Sequence, residues 1–460
     1  MSRETGKSAP VPSSRLSRMM HLGGLASRIA GNVAVETGRH LLKGQKPELN
    51  DLLLNTTNLS HVADKLASMR GAAMKMGQLI SMDAGTVLPR ELAEILDRLR
   101  SDAVTMPPSQ LIASLNRNWG EGWDQRFKRF SFQPMAAASI GQVHKAVDKK
   151  GHELAIKVQY PGVRQSIDSD LDNVYGLLKF SGILPKELDL EPVLQEARYQ
   201  LHQEANYQQE GQNLQDYQQY LNSLSQFEHC VVPGFYPELS TEEILCMDFI
   251  HGQPLELAVM NDRALANRVM TQLFELFFAE LLTFHCVQTD PNLANYQLEE
   301  GTQKLVLLDL GALCRYPPEF VATYKAAIVA AQNEDKDKLL SALEQLGFFE
   351  QAQTEQNLEI ILSILMMAAE PLRHDGPYDF ARSDLAQRIR DKGMGISRDP
   401  SAWHTPPPEV IFLHRKMGGL YLMATKLRAC VDIRAVFEPY CADVELNSEK
   451  NLLPSIFYPL

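Results

Sequence analysis

The chain has 460 residues, 45% of them hydrophobic and 22% charged, with a formal net charge of −12. That is the composition of an ordinary globular protein with room for about two or three structural units, and its acidic body excludes general binding to nucleic acid, which works by neutralising phosphates. The six cysteines contain no CxxC pair, so no zinc site or disulfide framework is suggested, and free thiols fit a reducing compartment.

The charge is uneven along the chain. Residues 1–46 carry eight Lys/Arg and two acids, a basic head that either touches anionic lipid or is a solvated terminus. It lacks the apolar stretch of a signal peptide, and we read it as an unprocessed cytosolic start. Within it, residues 15–42 mix apolar and basic positions and predict a helix containing glycines. Residues 58–80 predict a stronger one, because Val62, Leu66, Met69, Ala73, Met76 and Ile80 share one helical face. Further helices are expected at 89–99, with Pro89 in the first turn, and at 109–118. Residues 47–125 thus form a helical extension.

From about residue 126 the pattern changes. Strands are expected at 129–133, 142–147 and 153–159, the last two joined by a Lys149-Lys150-Gly151 turn. Helices follow at 167–180 and 192–221, and short strands at 230–232 and 243–248. This makes 126–252 a small lobe with a sheet. After Pro254 almost everything reads as helix except an apolar strand at 305–309, so 253–460 is a second, mostly helical lobe. The longest apolar run, 269–287, contains Gln272, Glu275 and Glu280; it reads as a buried helix, and the chain as soluble or peripheral. The expected fold class is α+β: a bilobal, protein-kinase-like fold with a small N-lobe sheet, a helical C-lobe and a helical N-terminal extension.

The chemistry-bearing residues follow that order. Lys157 stands in Leu154-Ala155-Ile156-Lys157-Val158, a cation among apolar strand neighbours, where kinases hold the α/β-phosphates of ATP. Ahead of it, Ala136-Ala137-Ala138-Ser139-Ile140-Gly141-Gln142-Val143 has the frame of a glycine-rich phosphate loop with only the third glycine kept. Small side chains still let backbone approach phosphate, although alanine gives up some φ freedom. Asp290 and Asn295 have the spacing of a kinase catalytic loop, in which the Asp lies near the reacting phosphate and the Asn on Mg²⁺. An apolar strand then ends in Asp309-Leu310-Gly311, like the metal-binding DFG element with Leu for Phe. Two Asp and one Asn supply the oxygen donors Mg²⁺ prefers. Taken singly, Asp290-Pro291 and Asp309-Leu310-Gly311 are ordinary turns; in this order and spacing they point to one nucleotide site. Lys157 needs an acidic partner, and of Glu196, Glu204 and Glu210 on the helix at 192–221 we select Glu210, with Glu204 as a contact for the extension. In the extension, Lys75 and Gln78 share a helix face and can cap a pocket. After Gly311, helical sequence resumes near Pro317, leaving no room for a long activation segment or an APE-like anchor. We therefore expect poor phosphorylation of proteins in trans.

Together these residues resemble the UbiB/AarF-domain atypical kinase family, most closely its coenzyme-Q-biosynthesis branch. The resemblance runs from about residue 10 to 437. It rests on Lys75-Met76-Gly77-Gln78, PMAAASIGQVH at 134–144, AIKVQYPGV at 155–163, QTDPN at 288–292, LDLGA at 308–312 and HRKMGG at 414–419. It implies an alanine-rich loop, Ala136, Ala137, Ala138 and Ser139, over the nucleotide. It implies Lys157 on the phosphates, Asn295 and Asp309 on Mg²⁺, Asp290 as the catalytic-loop Asp, and Lys75 and Gln78 in an extension covering the site. The implied cofactors are ATP, or ADP, and Mg²⁺. The implied function is an ATPase or small-molecule kinase supporting ubiquinone biosynthesis, with a non-catalytic, nucleotide-gated scaffold as the alternative. Implied partners are a lipid or quinone precursor and ubiquinone-biosynthesis enzymes, with room for a homodimer. The implied location is the cytoplasm or the inner-membrane surface, the mitochondrial matrix in a eukaryote. One departure stands out: the family's Glu-x-Asp pair is Glu204-Ala205-Asn206 here, and Asn206 offers no charge to Lys75.

Overall fold

The computed structural model describes residues 71–83, 105–181, 191–349, 354–393 and 407–441. The basic segment 1–46 and the helices expected at 15–42 and 89–99 lie outside the described residues. The chain divides into two compact units, Met1–Pro254 with Ala294–Leu313, and Leu255–Leu293 with Cys314–Leu460.

In the first unit, α1 (Gly71–Asp83) and α2 (Pro108–Trp119) precede the sheet. Helix α2 starts on Pro108, whose fixed φ suits a first turn. The strands are β1 (Phe127–Phe130), β2 (Ala136–Ala137), β3 (Gly141–Asp148) and β4 (Glu153–Gln159). Next come α3 (Val163–Ser181), α4 (Glu191–Glu204), α5 (Tyr207–Asn222), β5 (Cys230–Val231), β6 (Ile244–Asp248) and β7 (Gly252–Pro254). The sheet order is β1-β3-β4-β6, antiparallel throughout, with β2 pairing β3. Strand β4 is therefore central, with Val143 and Leu245 flanking Lys157. Alternation sends Leu154, Ile156 and Val158 into a cluster with Trp119, Trp123 and Phe127, and Ala155 and Lys157 to the other face. The β3–β4 turn falls where Lys149-Lys150-Gly151 predicts it, and Gly151 takes φ 98°, a conformation glycine reaches at least cost.

Two expectations shift. The strand expected at 129–133 begins at Phe127, because that ring belongs to the Trp119/Trp123 cluster. The single helix expected at 192–221 is two helices. Asn206 sits between them and its side chain accepts the Gln209 N–H at 3.2 Å, capping α5.

The second unit opens with a short turn of helix and α6 (Arg263–Leu282), capped by the Asp262 carboxylate on the Leu265 N–H at 2.9 Å. Strand β8 (Cys286–Gln288) follows. The chain then returns to the first unit for β9 (Tyr296–Glu299) and β10 (Leu305–Leu307), which join a small sheet of order β5-β10-β9-β7. Strand β10 falls within the strand expected at 305–309, while β8 and β9 stand in sequence that reads as helix, because three or four residues are too few to display a period. The rest of the second unit is mainly α7 (Pro318–Gln332), α8 (Lys336–Gln345), α9 (Glu355–Ala368), α10 (Leu385–Gly393), α11 (Pro408–Lys426) and α12 (Ile433–Cys441). Phe274, Phe277, Leu413, Leu420 and Phe437 are among its buried core. Among the described residues no helix is long and apolar enough to cross a membrane.

Candidate functional site

The first unit gathers a cluster of ionisable groups beneath its central strand. Lys157, 7% exposed, points from β4 with Nζ 2.9 Å from Glu210 Oε1, 3.2 Å from Glu210 Oε2 and 3.2 Å from Asp309 Oδ2. Glu210 is 1% exposed and lies in the first turn of α5, where the positive end of the helix dipole favours a carboxylate. Asp309 follows β10, and its Oδ1 accepts the Gly311 N–H at 2.9 Å. Asn213, one turn along α5 from Glu210, donates to the Leu310 carbonyl at 2.8 Å, fixing the Asp309-Leu310-Gly311 turn to the helix that carries Glu210. The Tyr207 ring lies 5.2 Å from Lys157 Nζ, within cation–π range, and its buried hydroxyl has no hydrogen-bond partner among the described residues.

Two carboxylates against one ammonium set the electrostatics. Burial alone would lower the Lys157 pKa, but Asp309 and then Glu210 hold it well above the usual lysine value. Burial pushes Glu210 up to about 7 against the pull of Lys157, with Asp309 adding to the rise. Burial would raise Asp309 too, yet Lys157 and the Gly311 N–H keep it below its ordinary value. One oxygen-rich carboxylate thus stays ionised beside a held cation, and the Asp309 side chain remains 32% exposed. Such a donor set fits Mg²⁺, which takes one or two carboxylates together with phosphate oxygens.

The alanine-rich loop sits on the same sheet. Ala136 and Ala137 form β2, opposite Val143 and Gln142, and the Ala138 N–H donates to the Gly141 carbonyl at 2.8 Å. A Cβ on Gly141 would lie 2.5 Å from the Val158 carbonyl, so the one retained glycine is required by close backbone approach. The Ser139 hydroxyl donates to the Glu204 carboxylate, whose other oxygen lies 2.7 Å from Lys75 Nζ. Lys75 is 1% exposed, and a Cβ on Gly71 would lie 2.5 Å from the Ser139 carbonyl, so α1 rests directly on the loop. Lys75 thus takes its charge from Glu204, while Asn206 serves as the cap of α5. The Gln78 side chain lies outside the described residues, although its backbone belongs to α1.

Asn295 ends a 3₁₀ turn before β9, and its carbonyl accepts the Leu308 N–H at 2.9 Å, next to Asp309. Asp290 belongs to the second unit, where its carbonyl accepts Gln288 Nε2 at 3.0 Å and the Asn292 N–H at 2.9 Å. Glu196 pairs with Gln200 on its own helix, away from Lys157's contacts. Sequence reasoning missed Tyr207 and Asn213. Their signal was the i−3 and i+3 spacing around Glu210, legible only once the helix is known to restart at Tyr207.

Residues 98–343 match the ABC1 atypical kinase-like domain. The mitochondrial atypical kinase COQ8 of Saccharomyces cerevisiae is 34% identical over 439 residues, covering 95% of this chain and 86% of that protein. The Schizosaccharomyces pombe protein of the same name is 35% identical, covering 94% and 70%. The mitochondrial atypical kinase COQ8B of Rattus norvegicus is 33% identical, covering 93% and 80%. Among solved structures, a Mycobacterium tuberculosis protein in complex with erythromycin shares the fold, with a TM-score of 0.57 and 24% identity over 82% of this chain and 95% of that one. With a kinase-like lysine, glutamate and aspartate joined under an alanine-rich loop, and with likeness of this extent, the chain belongs to the ABC1/UbiB atypical kinase family.

Proposed function

We propose that this chain is an ATP- and Mg²⁺-dependent ATPase or small-molecule kinase that supports ubiquinone biosynthesis. The observation that carries the reading is the Lys157–Glu210–Asp309 cluster. It supplies a held cation for the α/β-phosphates and an ionised, partly exposed carboxylate beside it. Lys157 binds and orients phosphate, and Glu210 and the Tyr207 ring fix its position. Asp309 and Asn295 are the residues that would hold Mg²⁺, which when bound neutralises charge developing on the transferred phosphoryl group. Asp290 takes the proton of the attacking hydroxyl or water; this assignment rests on its sequence spacing to Asn295. Catalysis here is positioning and charge neutralisation rather than covalent chemistry. Lys75 and Glu204 hold the extension on the loop that covers the nucleotide.

The link to ubiquinone is supported by the COQ8 relatives, whose names also place them in mitochondria. The reading extends to peripheral contact with an inner membrane through residues 1–46 and to ubiquinone-biosynthesis enzymes as partners. The segment from Gly311 to the start of α7 at Pro318 is too short for a peptide-docking platform, which favours a small acceptor or water over a protein substrate. The test is ATP turnover with and without anionic liposomes, paired with quinone profiling of a strain lacking the gene. Turnover lost in Lys157→Ala and Asp309→Ala, with depleted ubiquinone in the strain, is expected. Undiminished hydrolysis in both variants sinks the nucleotide assignment, and normal ubiquinone sinks the biosynthetic one.

A further inference from the structure

Within the second unit, one face of α11 grips the segment that carries Asp290. Lys416 is 2% exposed, and its Nζ donates to Gln288 Oε1 at 3.0 Å. Gln288, also 2% exposed, turns its Nε2 to the Asp290 carbonyl at 3.0 Å. Its backbone N–H donates to the Glu280 carboxylate of α6 at 3.3 Å. One turn along α11, Gly419 abuts the next residue of the loop: a Cβ there would lie 2.2 and 2.5 Å from the Pro291 Cγ and Cβ. Residues 416 and 419 are three apart and share a helix face. The loop is therefore held on both sides of Asp290, by a charge-assisted hydrogen-bond chain before it and by a pyrrolidine ring seated on bare helix backbone after it.

We propose that Lys416 and Gly419 are positioning residues for the Asp290 carboxylate, and that α11 sets the register of the catalytic loop. The physical case is one of cost. A buried ammonium is expensive unless its donors are used, and this one commits a donor to the Gln288 amide oxygen. The Gln288 side chain relays that bond to the backbone of Asp290, so the buried cation orders a loop instead of a surface pair. Pro291 is rigid and cannot yield to a methyl group on Gly419 by rotating a side chain. Misplacing a reacting group by about 1 Å costs on the order of a hundredfold in rate, which makes so tight a grip consequential for turnover. This inference rests on the reading of Asp290 as the catalytic-loop carboxylate.

The experiment uses the full chain and four variants: Lys416→Met, Gln288→Glu, Gly419→Ala and, as a control on Asp290 itself, Asp290→Asn. Gln288→Glu keeps an acceptor for Lys416 but loses the donor to the Asp290 carbonyl. Each is measured for ATPase kcat, for equilibrium affinity with a fluorescent ATP analogue, and for thermal midpoint. Expected are kcat losses of about tenfold or more in the three α11 and relay variants, with nucleotide affinity within about twofold of the parent. Lys416→Met and Gln288→Glu should be non-additive when combined, because they break one chain of bonds. If Lys416→Met fails to fold, Gln288→Glu and Gly419→Ala carry the test. Folded variants that turn over at the parental rate while Asp290→Asn is inactive overturn the proposal and leave the reading of Asp290 standing. Losses of kcat and affinity in parallel with the thermal midpoint also overturn it, since a purely structural role predicts them. An active Asp290→Asn enzyme overturns the reading of Asp290 and this proposal with it.

Discussion

Replacing Lys75 by Met tests the contact between α1 and the alanine-rich loop. Lys75 is 1% exposed and pairs with Glu204, whose side chain is 12% exposed. Removing one member of a buried pair typically costs about 3–5 kcal/mol, because the other charge is left uncompensated. Glu204 keeps some access to water and the Ser139 hydroxyl as a donor, so we expect a smaller cost, about 2–4 kcal/mol. Replacing both residues, Lys75→Met with Glu204→Gln, removes both charges and should cost only about 1 kcal/mol. The two changes should therefore be coupled by at least about 2 kcal/mol. Denaturant unfolding followed by tryptophan fluorescence reads this out, since Trp119 and Trp123 lie in the core cluster of the first unit. Single-variant costs that simply add, or a Lys75→Met cost below about 0.5 kcal/mol, would refute the reasoning.

Other consequences follow from single contacts. Lys157→Ala, Asp309→Ala and Asp290→Asn should each lower kcat by at least about a hundredfold, read in a phosphate-release assay. Gly176→Ala meets open space on α3 and should stabilise the chain by about 0.5–1 kcal/mol. Gly211→Ala would place its Cβ 2.3 Å from the Phe235 ring, so the same helix-propensity gain is offset by about 1–3 kcal/mol of overpacking, and nucleotide affinity falls as α5 shifts with Glu210. Equal stability gains in both glycine variants would contradict this. In the second unit, burial holds His414 down at about 4 beside Tyr324 and Phe348. Its folded value is depressed, so its contribution is complete above pH 6.5 and is lost as pH falls toward 4, up to about 3 kcal/mol. His414→Leu should flatten that acid limb in a pH series of thermal midpoints.

Much of this fold was legible because β4 advertises itself. Leu154, Ile156 and Val158 alternate with Ala155 and Lys157, and a lysine at the centre of such a strand demands a carboxylate partner. Glu210 could be selected on that ground, and it lies 2.9 Å away. The break between α4 and α5 was not legible. Gln- and Glu-rich sequence supports helix on both sides, and an asparagine in mid-run is unremarkable until its side chain is seen to cap. Strands β8 and β9 were hidden for another reason: their pairing partners come from distant sequence, and tertiary pairing rather than local propensity makes them strands. Tyr207 and Asn213 stayed invisible because they act through neighbours of Glu210, which a motif does not encode. The clamp on Asp290 had a visible motif, HRKMGG, but no spacing rule that ties it to QTDPN.

The joint at Ala205-Asn206 makes Glu204 and Glu210 servants of different rods. Six residues apart on one unbroken rod, they would swing together, and any tug from Lys75 would rotate the partner of Lys157. With a capped restart between them, α5 takes its pitch from Asn213 and Phe235, and α4 takes its own from Lys75 and Ser139. Helix α1 can thus be lifted or seated without dragging the Lys157 ammonium out of place. Fusing the rods by Asn206→Ala would trade that independence for stiffness.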